Sequence, residues 1–541
     1  MISQAWRKWW ALSLLGALGG ASQLPAAEPV DSEFVITTDK ALVRVTWSVV
    51  LGEQKLSRIW DKSFAALHAY HDRDGDKRLS AAEAARLPSV YAMCEVLGSG
   101  FTPSLGKPPV WEELDADKSG GVEEAEVAKY YRARGIGAPT IGVGTMSHRA
   151  PLQAALLKLI DTSGDGHISG AELDAAAALR EKFDRNEDGL IGAGELVPGV
   201  LYPGAAGSQL LTAPRAQPVP NMAHFPVILL PSAPQDNALW TAELVRRRDR
   251  DGDSRLSLAE FGAGEVLFAQ LDTNQDQQLA AEELATWRGS PASGDLRVVW
   301  SAPGDLPPQF VPDSAADPSQ TVSSATEAWR GLEVTVRGDR GHLNEAVAAT
   351  RERLGKRFQE DDADHNDQLV ATEREKDKAS PWHALQPVAD RDADGNLTLA
   401  ELNAWLDLQQ QLSQGQVLFT VLDAGPGLFE LIDDNHDGAL SASELRGARQ
   451  RLERVGALVN DALDMAKLPH VLLVTVSRGY PKSPLGLAER NGPAWFLALD
   501  RNLDGEVSSS EFAGSADAFR RLDKDASGTI SATEAAEFKR D

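Results

Sequence analysis

Asp390, Asp392 and Asp394 stand on alternate residues, Gly395 follows, and Glu401 closes a twelve-residue run that reads DRDADGNLTLAE. Carboxylates at positions 1, 3 and 5 of a tight turn point to a common centre, which is unfavourable unless something positive sits there. The remaining residue types complete an oxygen shell. Gly395 permits the sharp turn that a Cβ opposes, Asn396 offers its backbone carbonyl, Leu397 turns away into apolar packing, Thr398 holds a water or coordinates directly, and Glu401 supplies two oxygens. This donor set suits calcium, a hard ion that takes roughly seven oxygens at about 2.3–2.6 Å.

The run recurs along almost the whole chain. Positions 1, 3, 5, 7 and 12 are held by Asp161, Ser163, Asp165, His167 and Glu172, by Asp433, Asn435, Asp437, Ala439 and Glu444, by Asp500, Asn502, Asp504, Glu506 and Glu511, and by Asp523, Asp525, Ser527, Thr529 and Glu534. Six further copies depart slightly. They carry Asp72, Asp74, Asp76, Arg78 and Glu83; Asp115, Asp117, Ser119 and Glu126, with Gly121 at the carbonyl position; Asp184, Asn186, Asp188, Leu190 and Glu195; Asp249, Asp251, Asp253, Arg255 and Glu260; Asp272, Asn274, Asp276, Gln278 and Glu283; and Asp362, Asp364, Asn366, Gln368 and Glu373. At position 7 the ligand is the backbone oxygen, whatever the side chain. Four copies carry Lys77, Ser254, Gln277 or Asp367 in place of the turn glycine, which costs up to about 1 kcal/mol each and marks them as the weaker sites. Asp, Asn and Gly also gather in plain surface turns, but eleven copies that all keep Asp at position 1, an aliphatic residue at position 8 and Glu at position 12 call for a ligand.

These residues resemble the EF-hand loop, and the chain is similar to the secreted multi-EF-hand proteins of bacteria. The resemblance covers the loops and their helices and implies calcium as the bound ion. The short-spaced pairs also resemble dockerin-type calcium repeats. Dockerins usually end their loops in Asp where this chain has Glu, so the resemblance does not carry cohesin binding with it.

Helical periodicity flanks the loops, as over Ser63 to His71 and Ala171 to Phe183. Asp161 and Asp184, Asp249 and Asp272, and Asp500 and Asp523 are each 23 residues apart, which leaves room for one short helix between loops. The spacing predicts paired loops with Ile168 facing Ile191, Leu256 facing Leu279 and Val507 facing Ile530, and leaves Asp433 without a close partner. Strand character appears over Phe34 to Thr38, Leu42 to Val50, Phe225 to Leu230, Leu296 to Trp300, Leu332 to Val336, Val417 to Leu422 and Val471 to Val476. The expected fold is a helix-dominated α+β architecture, with EF-hand-type loop and helix units and short intervening β segments. Its expected divisions are a signal peptide at 1–27, strands and a loop pair at 28–134, loop pairs at 145–199 and, with a strand, at 221–300, loop units with strands at 325–450, and a strand and final pair at 465–541. Pro- and Gly-rich stretches at 135–144, 198–220, 303–320 and 481–493 are the candidate linkers.

The chain's 541 residues include 80 Asp and Glu against 54 Lys and Arg, a formal charge of −26. Eleven filled loops offset most of this excess. Nucleic acid is an unsuitable partner, since no basic stripe opposes that field. The one cysteine, Cys94, excludes an intramolecular disulfide framework. Arg7 and Lys8, the apolar run from Ala11 to Ala21 and the small residues at Ala26 and Ala27 read as a signal peptide. Secretion or a periplasmic location follows, with no membrane span after its removal.

The expected function is calcium binding in an exported scaffold or binding protein, with an extracellular protein or surface as a possible partner. The alternatives are a secreted enzyme, such as a hydrolase, carrying calcium loops, and a cell-surface calcium buffer. No HExxH, no GxSxG and no Cys–His pairing occurs, so the chain is read as a non-enzyme. His68 and His71 share a helix face beside the first loop and read as an exposed turn rather than a transition-metal pair, and His167, His365 and His436 read as solvent-facing loop residues.

Overall fold

The computed structural model describes residues 32–38, 41–99, 106–145, 149–198, 200, 227–230, 237–300, 306–312, 320–329, 331–374, 380–482 and 492–538. The signal peptide at 1–27 lies outside the described residues, as do parts of the linkers at 198–220, 303–320 and 481–493. Among the described residues no helix is long and apolar enough to cross a membrane.

Two mixed sheets organise the chain. The strands are β1 (Ser32–Thr37), β2 (Leu42–Leu51), β3 (Gln54–Lys55), β4 (Thr140–Thr145), β5 (Val227–Leu230), β6 (Gly294–Trp300), β7 (Gln309–Val311), β8 (Ser324–Trp329), β9 (Leu332–Gly338), β10 (Leu418–Gly425) and β11 (His470–Ser477). The first sheet runs β7-β6-β2-β1-β5, with β3 on β2, and its β2 and β6 are parallel. The second runs β8-β9-β11-β10-β4, with β9 parallel to β11 and β10 parallel to β4. Each of the seven segments of strand character supplies residues to a strand of these sheets, Phe225 and Pro226 lying outside the described residues.

The expectation of a helix-dominated chain with short β spacers is therefore corrected. The β segments are not spacers; runs such as LVRVTWSVVL are buried on both faces because helices and loop units cover both sides of each sheet. The stretch at 135–144, expected as linker, contributes most of β4.

Helices α1 (Leu56–His71), α2 (Glu124–Arg132), α3 (Arg149–Ile160), α4 (Asn237–Arg248), α5 (Leu343–Asp361), α6 (Leu399–Gln414) and α7 (Ala442–Arg454) join strands to loops. α1 repeats Leu56, Ile59, Trp60, Phe64 and Leu67 on one buried stripe. Between the sheets, Phe419 lies 4.8 Å from Trp47 and 6.0 Å from Phe34, ring centre to ring centre. α1 packs on α6, where Trp60 Nε1 donates to Gly415 O at 2.8 Å. A Cβ at Gly415 would stand 2.6 Å from the Trp60 ring, so only glycine allows this approach.

One order recurs six times among the described elements: a strand, a helix, then a loop, with a second loop following in five of the six. β2, β4 and β5 precede the loops from Asp72, Asp161 and Asp249, and β9, β10 and β11 precede those from Asp362, Asp433 and Asp500. The outer face of the first sheet, through Val35, Leu42, Ile228 and Leu230, shares a core with the Asp249/Asp272 unit. On the second sheet Leu422, Ala424, Val471 and Leu473 share a core with residues 152–200 and 428–468.

Phe419→Ala removes the ring that joins the two sheets. It is expected to cost about 3–5 kcal/mol in denaturant unfolding of the calcium-loaded protein, with both sheets melting in one transition.

Candidate metal centres

Each loop begins where its incoming helix stops. Asp72, the residue after α1, donates its N–H to His68 O at 2.9 Å and turns to extended backbone. From there the chain turns left-handed twice. At position 4 the φ values are +51° at His436 to +81° at Gly252, and at position 6 they are +60° at Asp367 to +87° at Gly438; the same two positions are left-handed in all eleven loops. Sequence reasoning identified the position-6 turn but missed position 4, where Lys118, Glu187, Gln275, Ala393, Leu503 and Ala526 adopt positive φ with no glycine to announce it.

The position-12 glutamate spans every loop. Glu83 Oε1 accepts from Arg73 N at 2.7 Å while Oε2 accepts from Ser80 N at 2.8 Å. Glu126, Glu172, Glu195, Glu260, Glu283, Glu373, Glu401, Glu444, Glu511 and Glu534 repeat the pattern, one oxygen on the N–H of position 2 or 3 and the other on that of position 9. Where Ser80, Ser169, Ser257, Thr398, Ser441 or Ser531 stands at position 9 this is also the capping box of the outgoing helix, so one carboxylate starts the helix and closes the loop. Backbone N–H donors hold Glu172 down to about 2, and the Ser257 hydroxyl with backbone donors does the same for Glu260.

The remaining donors converge. Asp72 with Asp74 and Asp76, Asp115 with Asp117 and Glu126, Asp249 with Asp251 and Glu260, Asp362 with Asp364 and Glu373, and Asp390 with Asp392 and Glu401 bring carboxylate oxygens within 4.8 Å of one another. Position 5 accepts from the position-7 N–H, as in Asp165 from His167 at 2.8 Å, Asp188 from Leu190 at 2.9 Å, Asn366 from Gln368 at 2.8 Å, Asp394 from Asn396 at 2.7 Å and Asp437 from Ala439 at 2.9 Å. Ser119 and Ser527 differ, since their hydroxyls donate to the position-7 carbonyls of Gly121 and Thr529, oxygens that an ion would also claim. Asp390 Oδ1 is buried and accepts no hydrogen bond. A buried, partnerless carboxylate oxygen is costly, and it faces the ligand cluster of its loop. These residues fit calcium.

The pairing differs from the expected one in the middle of the chain. Leu256 faces Leu279 and Val507 faces Ile530 as the spacing predicts, and Leu79 faces Val122 and Leu369 faces Leu397. Ile168 does not face Ile191. Ile191 pairs with Leu440, so the Asp184 loop is the partner of the Asp433 loop, and the Asp161 loop meets a hairpin, Leu463 N donating to Ile168 O at 2.8 Å. That hairpin pairs Leu458–Val459 with Ala462–Leu463 across left-handed Asn460 and Asp461. The exchange follows from β4 lying beside β10, which brings the loop units that follow them into one core.

Other contacts cross between loops. Arg73 Nη2 donates to Asp390 O at 3.2 Å and Arg391 Nη2 to Asp72 O at 3.5 Å. In the Asp249/Asp272 pair, Arg255 reaches Asp276 and Gln278 Nε2 donates to Asp253 Oδ2 at 2.8 Å. The Asp433 loop is buried against β9, where Arg337 donates to the carbonyls of Asp434 and Asn435. His436, expected to face solvent, is buried with Nε2 3.3 Å from Thr335 Oγ1. His68 and His71 are also buried, not exposed, and His68 Nε2 lies 3.2 Å from Val122 O. Burial lowers both His71 and His436 to about 3.

The EF hand family profile matches residues 152–175, 427–447, 494–513 and 516–538. This is an EF-hand domain-containing protein. No curated protein and no solved structure matches the chain. The four matched EF hands are those from Asp161, Asp433, Asp500 and Asp523, all with glycine at position 6 (Gly166, Gly438, Gly505 and Gly528) and an aliphatic residue at position 8. The other seven share the backbone path and the glutamate clamp. EF hands of this kind point to calcium as the ion.

Two outcomes follow for these EF hands. Ser254→Gly and Gln277→Gly relieve left-handed strain of about 1 kcal/mol each, so each is expected to tighten calcium at the Asp249/Asp272 pair about fivefold in calorimetric titration. Burial above all raises Asp433 well above its ordinary value, raises Asp437 and Glu444, and raises Asp504 to about 7. Raised carboxyls stabilise the ion-free fold below about pH 4, and this stability is lost as pH rises through their raised values. Calcium displaces those protons, whereas the histidine contributions are common to both states and cancel. The gain in Tm on adding saturating calcium to stripped protein is therefore expected to be larger at pH 8 than at pH 5.5.

Proposed function

We propose that the chain is a calcium-stabilised scaffold or binding protein, exported from the cytoplasm, in which ions in the EF hands rigidify the packing of loop units on the two sheets. The glutamate clamp carries this reading: in all eleven loops the residue that would give two oxygens to the ion ties the two ends of the loop together, and in ten of them, all but that of Glu511, it also lies in the first turn of the outgoing helix. Ion binding and helix registration are thus one event. The burial of the Asp433 loop, its carbonyls held by Arg337, favours a structural role over buffering, because a buffer exchanges ions through exposed loops. Outside cells calcium is abundant, and sites as weak as about 10⁻⁴ to 10⁻³ M stay largely filled. In this reading residues 1–27 direct export and the chain performs no catalysis.

Calorimetric titration of the chelator-stripped protein, with thermal unfolding before and after, tests the reading. Several exothermic or endothermic calcium sites and a Tm rise of more than about 10 °C are expected, since saturating several linked sites adds several kcal/mol. Fewer than three sites, or an unchanged Tm, would sink it.

A further inference from the structure

The last loop pair differs from the others in how it is held. In the first sheet the corresponding pair, from Asp249 and Asp272, shares its core with β1, β2 and β5. The pair from Asp500 and Asp523 has a core of its own: Phe496, Val507, Phe519, Leu522, Ile530 and Ala535, with no described residue from elsewhere. The face of the second sheet that would correspond is taken by the exchanged middle units.

Polar groups on the loops themselves join this pair to the body. Arg446, on α7 behind the Asp433 loop, donates to both carboxylate oxygens of Glu506 at 2.8 and 3.0 Å and to Thr529 Oγ1 at 3.0 Å. Glu506 and Thr529 are the position-7 residues of the two loops, whose carbonyls belong to the ion shells. Asn502, a position-3 ligand, donates Nδ2 to Asp188 O of the Asp184 loop at 2.9 Å. A Cβ on the neighbouring Gly189 would stand 3.0 Å from that nitrogen, so the two loops are in direct contact.

We propose that the C-terminal EF-hand pair is a calcium-latched module, its occupancy coupled through Asn502 to that of the Asp184 loop. The inference rests on the calcium reading above. Empty, the Asp184 and Asp500 loops each carry uncompensated carboxylates, Asp184, Asp188 and Glu195 in one and Asp500, Asp504 and Glu511 in the other, and because the two loops touch at Asn502 and Asp188 their like charges oppose docking. Filled, both loops are neutralised and fixed, and the Asn502 amide is aimed by its own ion shell at the Asp188 carbonyl. Without a shared apolar core, docking depends on these oriented polar contacts. Occupancy of one loop therefore favours occupancy of the other, and by linkage the effect is reciprocal.

Amide hydrogen exchange of residues 492–538 in the full chain, stripped and then brought to graded calcium, reads the latch. Calcium is expected to protect this segment at a defined midpoint. Glu195→Gln, which weakens the Asp184 loop, is expected to raise that midpoint about fivefold or more, while Glu260→Gln in the Asp249 loop leaves it in place. Asn502→Asp keeps an oxygen ligand at position 3 but removes the donor, and in that background Glu195→Gln no longer shifts the midpoint. An unmoved midpoint in Glu195→Gln, or a shift that persists in full with Asn502→Asp, overturns the coupling. If the wild-type segment ignores calcium altogether, the calcium reading fails first and the latch with it.

Discussion

Carboxylates gathered at one point repel each other, and this protein gathers them eleven times. In at least five loops, carboxylate oxygens of three residues lie within 4.8 Å. At the effective dielectric of a protein surface each such pair is worth several kcal/mol of repulsion before screening, so the fold as a whole depends on what neutralises the loops. The hydrophobic clusters do not stand apart from this demand. Each loop contributes its position-8 residue, such as Leu79, Ile191, Leu369 or Ile530, to a buried core, and all but the Asp500 loop contribute their position-12 glutamate to a helix start. Strain in a loop is thereby transmitted to the packing around it.

The exchanged pairing in the middle of the chain shows how topology decides which loops share this burden. β4 leaves the order of the first half and joins β10 in the second sheet. The loop units that follow these strands then share one core, and the Asp184 and Asp433 loops become partners although about 250 residues separate them. The reciprocal donation between Arg73 and the Asp390 carbonyl, and Arg391 and the Asp72 carbonyl, ties the halves together at a second point. There the contact is backed by a common apolar core that includes Tyr70, Val388 and Ala389, which the C-terminal pair lacks.

Local features were legible in the sequence. The ligand residues, the turn glycines such as Gly395 and Gly438, and strands such as Leu42–Leu51 follow from residue type and spacing over a dozen positions. What was not legible is set by distance along the chain. β2 and β6 are parallel neighbours joined through more than two hundred residues, and no periodicity records that choice, so strands destined for two large sheets looked like spacers. The pairing of Ile168 with Ile191 failed for the same reason: close spacing permits it, but the placement of β4 forbids it. The histidines show a third limit. His68 and His436 sit at polar sequence positions, yet the opposite loop and β9 bury them, which no local pattern reports.

The hairpin at 458–463 stands where a partner for the Asp161 loop is needed, and it carries none of the twelve-residue ligand pattern. Its turn, Asn460 and Asp461, is left-handed at both residues, the geometry that two-residue hairpins favour. Such a turn closes from neighbouring residues alone, within about 1–10 μs. During folding, the four-membered middle cluster thus owns one edge whose register is set by chain chemistry before any ion arrives, and the Asp161 loop meets a template already in place.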